Sequence, residues 1–423
     1  MADHKALPVP LLRAVDRVPP EIWLVVAKAV IPEDFLHTTV PAPFTKCLTT
    51  LPTDFPNLRA LKAALHDLHS LVLTKKTIHG SALTCLYEVV LIETDNAART
   101  LHHTLVENPS LSYLAQYTRH LILTALIPAA FPYIPPIIRA MSSISIFSVD
   151  PISLLNGDWP EEIAVALGET CGPSLRRIDL GYQANHFITG KGLKNLLSST
   201  PRLHTLIVRD PALSSKQEFP RLDDLSCLIA EAGIIVPFLE AGSLAPPFPS
   251  LVHLHIQAVR WTHDPSDFLR RQGPHLSSIT FDLTAQWGAA IRMRIKRLWP
   301  LFPSVTHAQV ILKWLQAASI SALPPTVTHL SIWWDPPPPV FEEDAATQSW
   351  VLSFISDLLE LCSSPSADVV TGDLVCRPRI VRLANPAHAL WLRRYLDRAD
   401  TVFNFPPTSS ALRVEGPAGE SFP

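Results

Sequence analysis

Pro249-Ser250-Leu251-Val252-His253-Leu254-His255-Ile256 is the clearest copy of a phrase that returns along most of the chain. Counted from Leu251, the apolar residues of the phrase are the first, fourth and sixth, Leu251, Leu254 and Ile256. In an extended chain the fourth and sixth residues point to the same side. The phrase therefore predicts a short strand with one buried side. The other copies are Leu86/Val89/Leu91, Met141/Ile144/Ile146, Leu175/Ile178/Leu180, Leu203/Leu206/Val208, Leu276/Ile279/Phe281 and Val327/Leu330/Ile332, with weaker ones at Thr118/Leu121/Leu123 and Val305/Ala308/Val310.

Helical patterns fill the connections between these phrases. The predicted helices are Asn96 to Glu107, Glu161 to Thr170, Lys191 to Ser199, Asp223 to Glu231 and Ala289 to Trp299. Strands that alternate with helices are typical of an α/β fold. Because no single phrase can bury its own apolar side, the copies must stack on one another.

The phrase L-x-x-L-x-L resembles the signature of leucine-rich repeats. The resemblance implies a solenoid, or horseshoe, of parallel strands with helical connections over residues 96–335. Residues 336–404, with a proline run followed by helix and strand patterns, are expected to cap its end. We expect residues 405–423 to be a disordered tail, because Pro, Ser and Gly dominate them, and residues 1–16 to be flexible.

A second informative stretch, Arg17 to Ala27, lies near the N-terminus. Pro19 and Pro20 precede Glu21 and an apolar run, which predicts a helix from Pro20 to about Ala29. The helix would carry one apolar stripe, because its apolar residues follow the i, i+3, i+4, i+7 spacing. These residues are Ile22, Val25, Val26 and Ala29. Such a stripe has to be covered by something.

Val18-Pro19-Pro20-Glu21-Ile22-Trp23 resembles the opening of an F-box, and Asp67 to Lys76 and Leu86 to Leu91 resemble the later parts of that domain. The resemblance implies an F-box-like domain over residues 17–95, with a proline-rich insertion at 31–64. It also implies that the chain holds the Skp-type adaptor of a cullin ubiquitin ligase and presents an unknown protein substrate. The adaptor-binding residues would be Val18, Pro19, Pro20, Glu21, Ile22, Val25 and Val26. The alternative is an ordinary amphipathic helix on a repeat scaffold that has no part in a ligase.

Composition narrows the class of partner. Apolar residues make up 47% of the 423 residues, charged residues 17%, and the net charge is −3. An ordered chain without basic excess makes nucleic acid a poor partner. Four prolines interrupt the longest uncharged stretch, Leu121 to Ile138, so we expect a buried strand and a turn there and no membrane span. Six scattered cysteines and no signal peptide favour a reduced compartment, the cytoplasm or nucleus.

Catalytic motifs are not recognisable in the sequence. Thr189-Gly190-Lys191-Gly192 lacks the spacing of a phosphate-binding loop. His102 and His103 would diverge by about 100° on a helix, so they are not expected to face one ligand. We therefore predict no catalytic residue, metal or cofactor, and no enzyme activity.

The polar positions of the phrases predict where a substrate would bind. Residues that alternate with the buried ones should point together to the other side of the strands. They are Arg177, Asp179, Thr205, Ile207, His253, His255, Ser278, Thr280, His329, Ser331 and Trp333. Hydrogen-bonding groups mixed with an aromatic suit a protein-binding surface, and the alternative is a set of plain solvated positions.

Overall fold

The structure is a computed structural model, and it describes the following parts of the chain. These are residues 20–32, 35–36, 58–74, 76–124, 128–149, 161–180, 190–208, 220–231, 246–257, 266–282, 297–312, 323–324, 326–334, 380–383 and 413–416. They fall into two compact units, divided after Asp179. The predicted flexible segment 1–16 and most of the predicted helix 289–299 lie outside the described residues.

The first unit begins with three helices: α1 (Pro20–Val30), α2 (Leu58–Thr74) and α3 (Lys76–Leu86). The predicted N-terminal helix is confirmed, with Pro20 at its start and Glu21 in its first turn. The prediction of an insertion over residues 31–64 is wrong at its end, because α2 already begins at Leu58. Leucines at helical spacing on α2 explain this early start, and they share one apolar core with α1 and α3. That core contains Ala27, Ile31, Leu61, Leu68 and Cys85.

Strands and helices then alternate in the first unit. The strands are β1 (Val89–Ile92), β2 (His120–Leu123), β3 (Ile146–Val149) and β4 (Arg177–Leu180), and the helices between them are α4 (Asp95–His102), α5 (Ile134–Ala140) and α6 (Glu161–Cys171). Strands β1, β2 and β3 pair in parallel, in chain order. The predicted helices at 96–107 and 161–170 are confirmed, although the first continues as a π-helical turn, His103–Glu107.

The second unit continues the same alternation. Its strands are β5 (Thr205–Val208), β6 (Cys227–Glu231), β7 (His253–Gln257), β8 (Ser278–Asp282), β9 (His307–Leu312), β10 (His329–Trp334), β11 (Ile380–Leu383) and β12 (Arg413–Glu415). Helices α7 (Gly190–Ser198) and α8 (Ser266–Gln272) lie between strands. Each strand from β5 to β12 pairs in parallel with the next along the chain. The predicted α/β class with parallel strands is thereby confirmed.

Four of the predicted boundaries and elements differ from the structure. Strand β1 starts before residue 96, and β11 and β12 follow residue 335, so the repeated strands extend beyond both ends of the predicted solenoid. Strand β12 lies in the segment predicted to be a disordered tail. Residues 227–231 form strand β6, where a helix was predicted. An apolar run as short as this one does not distinguish a buried strand from a helix.

The strands have two faces, and the phrase positions are correct for the second unit. Its core face is the one that carries the fourth residue of each phrase. In register across β5 to β11 these residues are Leu206, Leu228, Leu254, Ile279, Ala308, Leu330 and Val381, and all are buried. We call the opposite side the second face.

In the first unit, the predicted phrases of β1 and β3 are shifted. Val90 and Phe147 pair with Leu121, the fourth residue of its own phrase, so Val89 and Ile146 lie on the opposite face, which we also call the second face. The prediction had placed Val89 and Ile146 inward. Because side chains alternate along a strand, a shift by an odd number of residues exchanges the two faces.

A ladder of hydroxyl groups connects consecutive repeats just before their strands. The Oγ of Ser226 donates to the carbonyl oxygen of His204 at 3.2 Å, and the Oγ of Ser277 to that of Val252 at 3.2 Å. Oγ1 of Thr306 and Oγ1 of Thr328 continue the ladder at 3.3 Å each. The same carbonyl oxygens also accept backbone N–H groups of the next repeat, so each hydroxyl adds a further hydrogen bond between the two repeats.

Candidate functional site

Helix α1 turns its apolar stripe outward. Ile22 is 51% exposed, Val25 63% and Val26 41%, and Ala29 is exposed as well. The opposite side of the helix holds it in place, because Ala27 is buried in the shared core of the helices and Trp23 packs against Val72 and Ile78. We call Ile22, Val25, Val26 and Ala29 the α1 stripe. It is an apolar surface that the described residues leave uncovered.

The predicted adaptor-binding residues are only partly described. Glu21 and the three branched residues of the α1 stripe are exposed beside one another on the first two turns of α1. Pro20 begins the helix, and Val18 and Pro19 lie outside the described residues. The structure therefore brings Glu21, Ile22, Val25 and Val26 together on one accessible surface.

The segment that follows α1 is anchored on the second face of the first strands. Phe35 is buried against Val89 and Ile122. Nδ1 of His120 lies 2.9 Å from the carbonyl oxygen of Phe35, and Nε2 lies 2.9 Å from Oγ of Ser148. Burial lowers the pKa of His120 to about 3, so the ring is neutral at physiological pH. Local sequence patterns do not predict this contact, because it joins residues far apart in the chain.

The predicted substrate-binding residues lie on the second face of the strands of their own unit, but they are buried. All except His329 are at most 9% exposed. These buried residues are Arg177, Asp179, Thr205, Ile207, His253, His255, Ser278, Thr280, Ser331 and Trp333. The expectation that they form an exposed surface is therefore wrong. Strands of parallel sheets are commonly buried on both faces, and an alternating pattern does not guarantee one solvated side.

Packing on the second face explains this burial. Ile207 clusters with Cys227 and Ile229, and Trp333 packs on Ile311. The polar residues bond to one another across strands: Nδ1 of His253 lies 3.0 Å from Oγ of Ser278, and Oγ1 of Thr280 donates to Oε1 of Gln309 at 3.2 Å.

Buried ionisable groups on the second face reflect the same environment. Burial lowers the pKa of His253 to about 4. Arg177 and Asp179 form a buried ion pair at 3.4 Å. His253 thus bonds a side chain of the neighbouring strand, whereas Arg177 and Asp179 pair within β4.

A half-buried group on the second face was only partly predicted. The rings of His307 and His329 stack in parallel with centroids 4.4 Å apart. Burial first, and then the neighbouring His329, lower the pKa of His307. Arg382 on β11 forms an ion pair with Glu415 on β12, and Nη2 of Arg382 lies 2.7 Å from Oε2 of Glu415. The phrase pattern predicted His329 as a surface residue. It did not predict His307, which lies in a weaker copy of the phrase, or Arg382 and Glu415, because β11 and β12 lie outside the predicted solenoid.

The described residues show no constellation with the chemistry of a metal site. No group of three or more His, Cys, Asp or Glu side chains there could hold a metal ion. His102 and His103 do meet one side chain, since their Nδ1 atoms lie 3.2 Å and 2.8 Å from the two carboxylate oxygens of Glu107. The expectation that they could not face a common group is therefore wrong, because a π-helical turn replaces the α-helix there.

The described cysteines and helices can be compared with the predictions made from the sequence. Cys85, Cys171 and Cys227 are buried, as predicted. Burial raises the pKa of Cys171 to about 12, so this thiol is unreactive. Among the described helices, none has both the length and the apolar character that crossing a bilayer requires.

Comparison with known proteins adds little. No family model matches the chain, and no curated protein matches it. Among solved structures, the chain is similar to a chain in the crystal structure of the Rad7 and Elc1 complex in yeast. The two align with 12% identity and a TM-score of 0.29, over 80% of this chain and 96% of that chain. A TM-score this low supports no inference about fold, partner or function.

Proposed function

We propose that this protein is a substrate-recognition subunit of an SCF-type ubiquitin ligase, which holds a Skp-type adaptor with helix α1 and a protein substrate with its repeats. The proposal combines the F-box-like sequence at residues 18–23 with one structural observation, the exposure of the α1 stripe. It requires no catalytic group and no cofactor in this chain. It places the protein in the cytoplasm or nucleus, where such ligases work.

The α1 stripe carries the proposal because its composition suits an interface. Three branched aliphatic side chains at 41–63% exposure lie within two helical turns, with Glu21 beside them. Contiguous apolar residues on a soluble surface mark interaction sites more often than isolated ones do. Burying the exposed part of each side chain would contribute roughly 1 kcal/mol, or about 3 kcal/mol for the three. That corresponds to about a hundredfold in Kd, enough for these residues to decide whether the adaptor binds.

The test is a double substitution on the α1 stripe of the full chain. Ile22→Asp with Val26→Asp should abolish pull-down of a purified Skp-type adaptor, because two charges would enter an apolar interface. The double variant should fold as the wild-type chain does, since both side chains are exposed. Val252→Asp is the matched control, because Val252 is 48% exposed in the second unit and should not touch the adaptor. Retained binding in the double variant would refute the adaptor assignment.

A repeat scaffold without a ligase role is the second candidate. It is favoured by the same repeats and needs no adaptor, so it predicts that the wild-type chain does not bind one. In that case the α1 stripe would contact another protein, and the double variant would lose that protein instead. Pull-down with the adaptor alone, using purified components, separates the two functions.

A further inference from the structure

We propose that His120 is a latch, which fastens the segment after α1 to the second face of strands β2 and β3 and so fixes the direction in which the α1 stripe faces. The latch itself follows from contacts within the first unit. Its value for adaptor binding rests on the proposed function above. His120 acts here as a positioning residue and does not touch the partner.

Both ring nitrogens of His120 are engaged, and the bonds define which one carries the proton. The carbonyl oxygen of Phe35 can only accept, so Nδ1 of His120 donates to it at 2.9 Å. The neutral ring then has its lone pair on Nε2, which accepts from Oγ of Ser148 on β3 at 2.9 Å. One buried side chain thus connects the N-terminal segment with two neighbouring strands.

Apolar packing surrounds this hydrogen-bonded ring. Phe35 is 1% exposed and lies against Val89 of β1 and Ile122 of β2, with its ring centroid 6.2 Å from that of His120. The buried carbonyl of Phe35 would lose its bond to the ring if His120 changed, which is costly in an apolar setting. The contact therefore selects one position for this segment.

The latch lies close enough to α1 to control it. Only four residues separate Val30, the end of α1, from Phe35, and two turn hydrogen bonds shorten that path. These bonds run from Ile31 N–H to Lys28 O and from Phe35 N–H to Pro32 O. Anchoring Phe35 consequently restrains the end of α1. A surface already fixed in its bound position loses less conformational entropy when a partner docks.

Two amide substitutions at His120 separate the two bonds of the latch. In His120→Asn the amide nitrogen takes the place of Nδ1 and can still donate to Phe35, whereas the bond to Ser148 is lost. In His120→Gln the amide reaches the place of Nε2 and can still bond Ser148, whereas the bond to Phe35 is lost. The two variants differ little in polarity, so a difference between them reports on the Phe35 bond.

Hydrogen exchange of the full chain, followed by mass spectrometry, is the direct readout. His120→Gln should accelerate exchange of peptides from α1 about tenfold or more, while His120→Asn leaves them near the wild-type rate. His253→Gln is the control, because His253 is also buried and bonded to a serine, but lies in the second unit. It should leave α1 peptides unchanged. Equal exchange of α1 in the two His120 variants, or acceleration in the His253 variant, would overturn the latch.

Adaptor affinity is the second readout. His120→Gln should weaken binding about threefold to tenfold, with His120→Asn within twofold of wild type. If the wild-type chain does not bind the adaptor at all, the proposed function fails and the exchange experiment still decides the latch. If α1 loosens while affinity stays constant, the latch exists but does not serve the adaptor.

Discussion

His253 makes the stability of the second unit sensitive to acid. Its ring is buried on β7 and bonds Oγ of Ser278 on β8. Burial lowers its pKa from the ordinary value of 6.5 to about 4. Between these two values the unfolded chain binds a proton that the folded chain excludes. Stability is therefore fully present above about pH 6.5 and falls as the pH is lowered through this window.

The size of this loss follows from the two pKa values. At pH 5.0 the unfolded histidine is almost fully protonated, while the folded one is mostly neutral. The difference corresponds to about 2 kcal/mol of unfolding free energy. This value hardly depends on the folded pKa as long as that pKa stays well below 5. At pH 7.5 both states are neutral, and the contribution is close to zero.

The substitution His253→Asn isolates this contribution. The variant should be less stable than wild type at pH 7.5, because the ring's packing is lost, but it has no proton to bind. Urea unfolding followed by tryptophan fluorescence at pH 7.5 and 5.0 should show the gap between the two proteins narrowing by about 2 kcal/mol at the lower pH. A gap that changes by less than about 0.5 kcal/mol would refute the argument, because His253 would then titrate alike in both states.

Two further pairs of substitutions test packing. Leu254→Ala removes a fully buried core-face side chain and should lower the unfolding free energy by about 3 to 5 kcal/mol. Val252→Ala, at a 48% exposed site two residues earlier, should change the unfolding free energy by less than about 0.5 kcal/mol. Equal effects of the two substitutions in urea unfolding would contradict the assigned faces. A Cβ at Gly273 would overlap the carbonyl oxygen of Leu301, so Gly273→Ala should destabilise by about 2 kcal/mol or more. Gly80, in α3, has nothing within 4 Å of such a Cβ, so Gly80→Ala should stabilise by about 0.5 to 1 kcal/mol. Thermal unfolding that ranked these glycine variants in the opposite order would show the described packing to be incorrect.

The repeated phrase predicted strands well where its apolar positions were unambiguous. In the second unit, Leu254 and Ile279 are both the fourth residue of their phrase, and they pair across neighbouring strands. Strand β6 was missed because Leu225, Leu228 and Ala230 end in a small residue that also suits a helix. In β1, four consecutive aliphatic residues, Val89 to Ile92, fit the phrase in two frames. Only pairing with β2 decides between them.

Burial of the second face could not be predicted from a local pattern. His253, Thr280 and Ser331 are polar, and polar residues at alternate positions normally indicate solvent. In the structure they bond to neighbouring strands or lie beneath other side chains, which depends on residues distant in sequence. The same holds for His120, whose partners Phe35 and Ser148 lie 85 and 28 residues away.

The α1 stripe shows what periodicity can and cannot establish. The spacing of Ile22, Val25, Val26 and Ala29 predicted a helix, and the helix is confirmed. Periodicity alone required that this stripe be covered by something, and it did not show that Ala27 and Ile31 are the residues that occupy the chain's own core. A helix with apolar residues on both sides can bury only one of them within its own chain, and the neighbouring helices determine which. Since Leu61, Leu68 and Cys85 already fill the core around Ala27, the second apolar side remains exposed, and its burial by another molecule is the physical basis of the adaptor binding proposed for α1.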